Sequence, residues 1–169
     1  MAGEARPLVI LGVGNRLRGD DAVGCLICDE LQGACKSAIV NRQSTIPPDL
    51  FVLDCGSAPE NYIRPIADRS PERILIIDCC NYGAKPGEFR LFSREEVERL
   101  SYGLLSTHTL PLTLTIEMLS LETRAAIELL GIQPEQIEFG QDLSEPVRRA
   151  LPAVVEFVRN WARAATAAG

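Results

Sequence analysis

Leu8-Val9-Ile10-Leu11-Gly12-Val13-Gly14 is the stretch on which the fold turns. Four apolar residues with no polar residue between them read as a strand buried on both faces, the kind found inside a parallel sheet. The glycines that follow mark a tight loop. Beyond Gly19, Val23, Leu26, Ile27 and Leu31 recur at helical spacing. Strand, glycine loop and helix make half of a βαβ unit, and the pattern recurs outward from here.

Phe51-Val52-Leu53-Asp54 reads as a second strand and Ile74-Leu75-Ile76-Ile77-Asp78 as a third, the most apolar of all. Glu88-Phe89-Arg90-Leu91-Phe92 alternates and reads as an edge strand. Ile127-Glu128-Leu129-Leu130-Gly131-Ile132 is the last strand. Two capping boxes, Ser57-Ala58-Pro59-Glu60 and Ser93-Arg94-Glu95-Glu96, predict helix starts, the first helix running through Ile66. Leu112, Ile116 and Leu119 mark another helix, and Val147, Leu151, Val154, Val158 and Trp161 give an amphipathic C-terminal one. Pro152 either kinks that helix or delays its regular part. The polar stretch from Cys35 to Pro48 predicts a strand-poor connection. The expected architecture is α/β: one three-layer domain over residues 1–169, a twisted, mainly parallel five-stranded sheet with helices on both faces.

A chain of 169 residues buries enough surface to be stable without staples. Its formal net charge of -6 argues against nucleic-acid binding, which needs clustered Lys and Arg. The same charge favours a basic peptide or a metal cation as partner. The N-terminal residues Met1–Pro7 hold no signal-like apolar stretch, and no apolar run approaches the roughly 20 residues of a membrane span. The expectation is a cytoplasmic protein, not inserted in a membrane, whose six cysteines stay reduced. Cys25 and Cys28 form a C-x-x-C inside an apolar helical run and Cys79-Cys80 are adjacent. With no second C-x-x-C to complete a zinc site, both pairs read as small buried apolar groups.

In open parallel sheets, ligands bind beyond the carboxyl ends of the strands, where three polar clusters fall. Gly14-Asn15-Arg16-Leu17-Arg18-Gly19-Asp20-Asp21 lacks the G-x-G-x-x-G spacing, and its two acids stand where a phosphate would need N–H groups. Asp20 there is either a helix cap with Asp21 complementing the dipole, or the pair is functional. Asp78 closes an apolar strand, so its charge must be solvated, paired or metal-bound, unless it makes an Asx turn into Asn81-Tyr82-Gly83. Asp54 ends its strand in a similar way. Ser106-Thr107-His108-Thr109 contains the only histidine, either structural or a ligand. One imidazole excludes H-E-x-x-H proteases and two-histidine zinc sites, and no G-x-S-x-G elbow exists. Two carboxylates and an imidazole suit a divalent metal or general acid–base chemistry.

Taken in order, several segments resemble the maturation endopeptidases of nickel–iron hydrogenases. They are Gly12-Val13-Gly14-Asn15 with Arg18-Gly19-Asp20-Asp21; Asp54-Cys55-Gly56-Ser57-Ala58-Pro59-Glu60-Asn61; Ile76-Ile77-Asp78 with Gly83 and Pro86-Gly87; Ser106-Thr107-His108 with Leu110-Pro111-Leu112; and Gly131-Ile132-Gln133-Pro134. The second and last look most like the type serving formate-hydrogenlyase-like hydrogenases. The resemblance implies an α/β fold and a peptidase that removes the C-terminal tail of a hydrogenase large-subunit precursor after nickel insertion. It implies that Asp21, Asp78 and His108 are the catalytic, metal-holding residues, the nickel being supplied by the substrate. Asp20, Asn15 and Glu60 are supporting candidates. Cys79-Cys80-Asn81 lacks an acid that many relatives carry, and the Gly33–Pro48 connection is longer than usual. Two rival readings are a cysteine hydrolase using Cys55, Cys79 or Cys80 with His108, and a non-catalytic chaperone or nickel carrier that binds the precursor.

Overall fold

A computed structural model describes residues 7–41, 49–100, 105–106 and 111–167. Six strands are present: β1 (Leu8–Val13), β2 (Leu50–Gly56), β3 (Arg73–Asn81), β4 (Phe89–Ser93), β5 (Leu105–Ser106) and β6 (Ala126–Ile132). The helices are α1 (Val23–Asn41), α2 (Ile63–Ala67), α3 (Arg94–Leu100), α4 (Pro111–Glu122) and α5 (Glu145–Ala167). Five strands form the sheet in the order β2-β1-β3-β6-β4. The first four pair in parallel, and β4 runs antiparallel at the edge. The expected five-stranded, mainly parallel sheet is therefore present, with its strands at the predicted runs. The short β5 is an addition, pairing antiparallel with the last residues of β3.

The period-two pleat divides the central strands between two cores. Leu8 and Ile10 of β1, Leu75 and Ile77 of β3, and Leu130 and Ile132 of β6 pack against α1 and α5. Val9, Leu11, Ile74, Ile76, Ile127 and Leu129 pack the other way, against α2, α3 and α4. Both sides of these strands are covered, which explains their unbroken apolar runs. Asp78 has the parity of Ile74 and Ile76, so it belongs to the α2–α4 face.

Two local expectations need correction. Helix α1 continues to Asn41 and so takes up the first part of the stretch read as a connection; residues 42–48 lie outside the described residues. The capping box at Ser57 does not form: a short 3₁₀ turn, Pro59–Tyr62, starts there with Ala58 at its N-terminus and no side-chain cap. The box at Ser93 does form, with Ser93 Oγ accepting the Glu96 N–H at 3.2 Å and Glu96 accepting the Ser93 N–H at 2.9 Å. Pro152 sits inside α5, which spans it as one helix; Val147, Val154 and Val158, all buried, anchor it on both sides of the proline.

Candidate functional site

The loop leaving β1 is built on close backbone approach. Gly14 has φ +145°, and a Cβ there would lie 1.8 Å from the Asp21 carbonyl oxygen. Gly24, at the start of α1, leaves no more room: a Cβ would sit 2.3 Å from the Val13 carbonyl and 2.5 Å from that of Ile77. These glycines let the 3₁₀ turn Gly19–Ala22 and the start of α1 press onto the carboxyl ends of β1 and β3. Asp21 lies in that turn, fully buried, its Oδ2 accepting the Asn15 N–H at 3.1 Å. Asn15 Oδ1 accepts the Leu17 N–H at 2.9 Å, closing the loop on itself.

Asp20 is not the helix cap considered from sequence. The residue preceding the 3₁₀ turn is Arg18, without a side-chain cap. Asp20 turns the other way and accepts backbone N–H groups of Glu135, Gln136 and Ser144 at 2.8, 3.0 and 2.7 Å. It joins the loop after β1 to the segment between β6 and α5.

Asp78 is also fully buried, and β3 continues three residues past it to Asn81. Its Oδ1 accepts the N–H of the next residue, Cys79, at 2.8 Å. The Asx turn belongs instead to Asn81, whose Oδ1 accepts the Gly83 N–H at 3.2 Å. On the neighbouring strand Gly131 faces Asp78 in register. Gln133, mostly buried, holds the exit of β3: its Oε1 accepts the Tyr82 and Ala84 N–H groups at 3.0 and 3.1 Å, and its Nε2 donates to Asn81 at 3.0 Å.

The thiol of Cys79, the residue after Asp78, points to the opposite side of β3, into the core against α1 and α5. Burial, then the charges of Asp78, Asp21 and Asp20, hold its pKa far above the ordinary thiol value. His108 lies outside the described residues. The described residues nearest to it in sequence are Ser106, which pairs with Cys80, two residues beyond Asp78, and Pro111, where α4 begins.

Arg16, not singled out from sequence, ties the loop to neighbouring elements. It donates to both oxygens of Asp29 at 2.7 and 3.0 Å and to Asp54 at 2.6 Å. Burial works against ionising Asp54, but hydrogen bonds from Arg16, Cys25 and the Gly56 N–H outweigh it and hold the carboxyl below its usual range. Nothing in the spacing of the sequence marks Arg16 or Gln133, because their partners are distant in the chain. Glu60 is exposed in the 3₁₀ turn Pro59–Tyr62.

Cys25, Cys28, Cys55, Cys79 and Cys80 are buried and unbridged, as expected for the Cys25/Cys28 and Cys79-Cys80 pairs. Burial, aided by Asp54, pushes the Cys55 thiol up to about 12; burial with Asp78 does the same to Cys80. A nucleophilic cysteine needs its pKa lowered and its sulfur reachable. These thiols have the opposite setting, which speaks against the cysteine-hydrolase reading.

Among the described residues, no helix is long and apolar enough to cross a membrane. A protein-family model for HycI, a hydrogenase maturation protease, matches residues 37–161. The chain is 33% identical over 153 residues to the hydrogenase 3 maturation protease of Escherichia coli K12, covering 90% of this chain and 89% of the relative. Its fold superposes on the crystal structure of a [NiFe] hydrogenase maturation protease from Thermococcus kodakarensis with TM-score 0.74 and 27% identity, covering 94% and 93% of the two chains. A crystal structure of the hydrogenase 3 maturation protease gives TM-score 0.73 and 31% identity over 93% and 92%.

Proposed function

The chain belongs to the hydrogenase maturation protease family, and from that premise we propose that it is an endopeptidase that removes the C-terminal tail of a nickel–iron hydrogenase large-subunit precursor once nickel has been inserted. Nickel arrives with the substrate. Asp21, Asp78 and His108 engage it near the scissile bond.

One observation carries the assignment of these residues. Two fully buried aspartates from separate segments lie at the carboxyl ends of adjacent strands, Asp78 in β3 and Asp21 in the turn that Gly14 and Gly24 let press onto β1 and β3. Ser106, two residues before His108 in the sequence, pairs with Cys80, two residues after Asp78, which supports adding His108 to the set. A buried carboxylate is costly until a cation or hydrogen bonds compensate it. Carboxylate and imidazole donors are acceptable to divalent nickel, and such a set leaves coordination positions for ligands the substrate supplies. Loaded precursor is then favoured over empty precursor by differential affinity, each tenfold preference requiring only about 1.4 kcal/mol.

The test is intact mass spectrometry of nickel-loaded precursor before and after incubation with substoichiometric protein. Loss of a C-terminal fragment, with turnover, is the expected result. A precursor of unchanged mass that co-elutes with the protein in fixed ratio would point to a chaperone or nickel carrier instead.

A further inference from the structure

Asp21 sits in a 3₁₀ turn of four residues, Gly19–Ala22. A turn that short does not hold its own shape. What fixes it is the segment between β6 and α5. Asp20, fully buried, spends both carboxylate oxygens there, on the N–H groups of Glu135, Gln136 and Ser144. Backbone bonds run alongside: Asp20 N–H to the Gln136 carbonyl at 2.9 Å, Gly19 N–H to Gln141 at 3.0 Å, and Gly140 N–H to Leu17 at 2.7 Å. Arg18 Nε donates to the Ile137 carbonyl at 3.2 Å. The contact is tight enough that a Cβ on Gly19 would fall 2.7 Å from the Gln136 oxygen.

The segment is itself anchored at its near end. Gln133 ties it to Asn81, Tyr82 and Ala84 as the chain leaves β3, the strand of Asp78. At its far end Ser144, gripped by Asp20, directly precedes α5. A continuous set of hydrogen bonds therefore runs from the exit of the Asp78 strand, through residues 133–144, to Asp20 and the turn of Asp21.

We propose that Asp20 is a positioning residue for the peptidase reaction: by clamping the β6–α5 segment against the 3₁₀ turn it sets the direction of the Asp21 carboxylate relative to Asp78. This rests on the reading of Asp21 as a nickel-holding residue. Groups that orient metal-binding side chains contribute about 10–100-fold to affinity or rate without touching the metal. Asp20→Ala leaves three N–H groups without their acceptor, that of Ser144 buried; Asp20→Asn keeps one oxygen acceptor in nearly the same volume.

The experiment measures, on the full chain well below its melting midpoint, Ni²⁺ affinity by calorimetry with nickel chloride, and kcat and KM on nickel-loaded precursor. Asp20→Ala is expected to weaken Ni²⁺ binding about tenfold or more and to lower kcat/KM on nickel-loaded precursor similarly, with part of the loss in kcat. Asp20→Asn should fall between it and the unsubstituted protein, and decides the matter if Asp20→Ala does not fold. Folded Asp20 variants with unchanged Ni²⁺ affinity and kcat, altered only in melting midpoint, would overturn the proposal and leave Asp20 a loop staple. Asp21→Asn is run in parallel. If it loses Ni²⁺ binding and processing while the Asp20 variants keep both, only the positioning role is wrong. If it too keeps both, the ligand reading of Asp21 fails, and the positioning role with it.

Discussion

The two ends of the sheet bury charge in opposite ways. At the amino end, Glu128 of β6 meets Arg73 of β3 at 2.6 Å and accepts the Trp161 indole N–H at 2.8 Å, while the guanidinium stacks 4.6 Å from the Trp161 ring centre. Positive, negative and aromatic groups are matched, joining two strands to α5. At the carboxyl end, three aspartates, Asp20, Asp21 and Asp78, are fully buried and accept only backbone N–H groups in the bonds described above. The amino end is arranged for stability. At the carboxyl end, the proposed function asks buried carboxylates to receive a cation, an arrangement that favours function over stability.

Substitutions separate the two ends. The largest effect on processing is expected from Asp21→Asn, Asp78→Asn and His108→Ala, each lowering cleavage of nickel-loaded precursor by at least about 100-fold. The two Asn variants remove like charge from a buried cluster, so their melting midpoints should stay level or rise. A sharp drop in midpoint together with retained cleavage would make these aspartates structural. Gly14→Ala comes next, because its Cβ would collide with the Asp21 carbonyl. Cleavage should fall well beyond what the change in midpoint explains, as followed by progress curves at low temperature.

Glu128→Gln tests the amino end. It should cost about 2 kcal/mol of stability by removing the charged partner of Arg73 and Trp161, and leave kcat unchanged. Denaturant melts and turnover measured together check both halves of that statement; a kcat change at this distance would break the division of labour between the ends.

A smaller and more diffuse effect concerns the thiols. Burial raises Cys25, Cys28, Cys55 and Cys80 from about 9 to about 12. In the unfolded chain they ionise first, so between pH 9 and pH 12 the folded state holds more protons and stability falls as pH rises; below pH 9 these groups contribute no pH dependence. Chemical melts across that window should show the decline. Iodoacetamide at pH 8 should leave Cys25, Cys28, Cys55, Cys79 and Cys80 of the native protein unmodified, and replacing Cys25 and Cys28 with Ala should alter stability only. Rapid labelling of Cys55 or Cys80 with loss of cleavage would restore the cysteine-hydrolase reading.

The sheet was legible because its strands are short apolar runs whose period and flanking glycines are local properties. β4 stood out as an edge because it alternates, and the Ser93 box was readable because both partners lie within one turn. The failures share a cause. Ser57 and Glu60 satisfy a local pattern, but the chain after β2 enters a 3₁₀ turn with Pro59 inside it. Asp20 looked like a cap, yet its partners lie 115, 116 and 124 residues away. Gln133 and Arg16 likewise act across the fold, so no spacing rule reveals them. Asp21 and Asp78 were singled out through motif resemblance and strand position, and both are fully buried at the carboxyl ends of β1 and β3.

The most direct test of this reading compares nickel-free and nickel-loaded precursor at equal enzyme, followed by intact mass over time. The account predicts that only the loaded precursor is shortened, because its nickel is the group that Asp21, Asp78 and His108 engage. Equal cleavage rates for the two precursors would contradict it, making the cluster a hydrolytic or structural one that does not sense the metal.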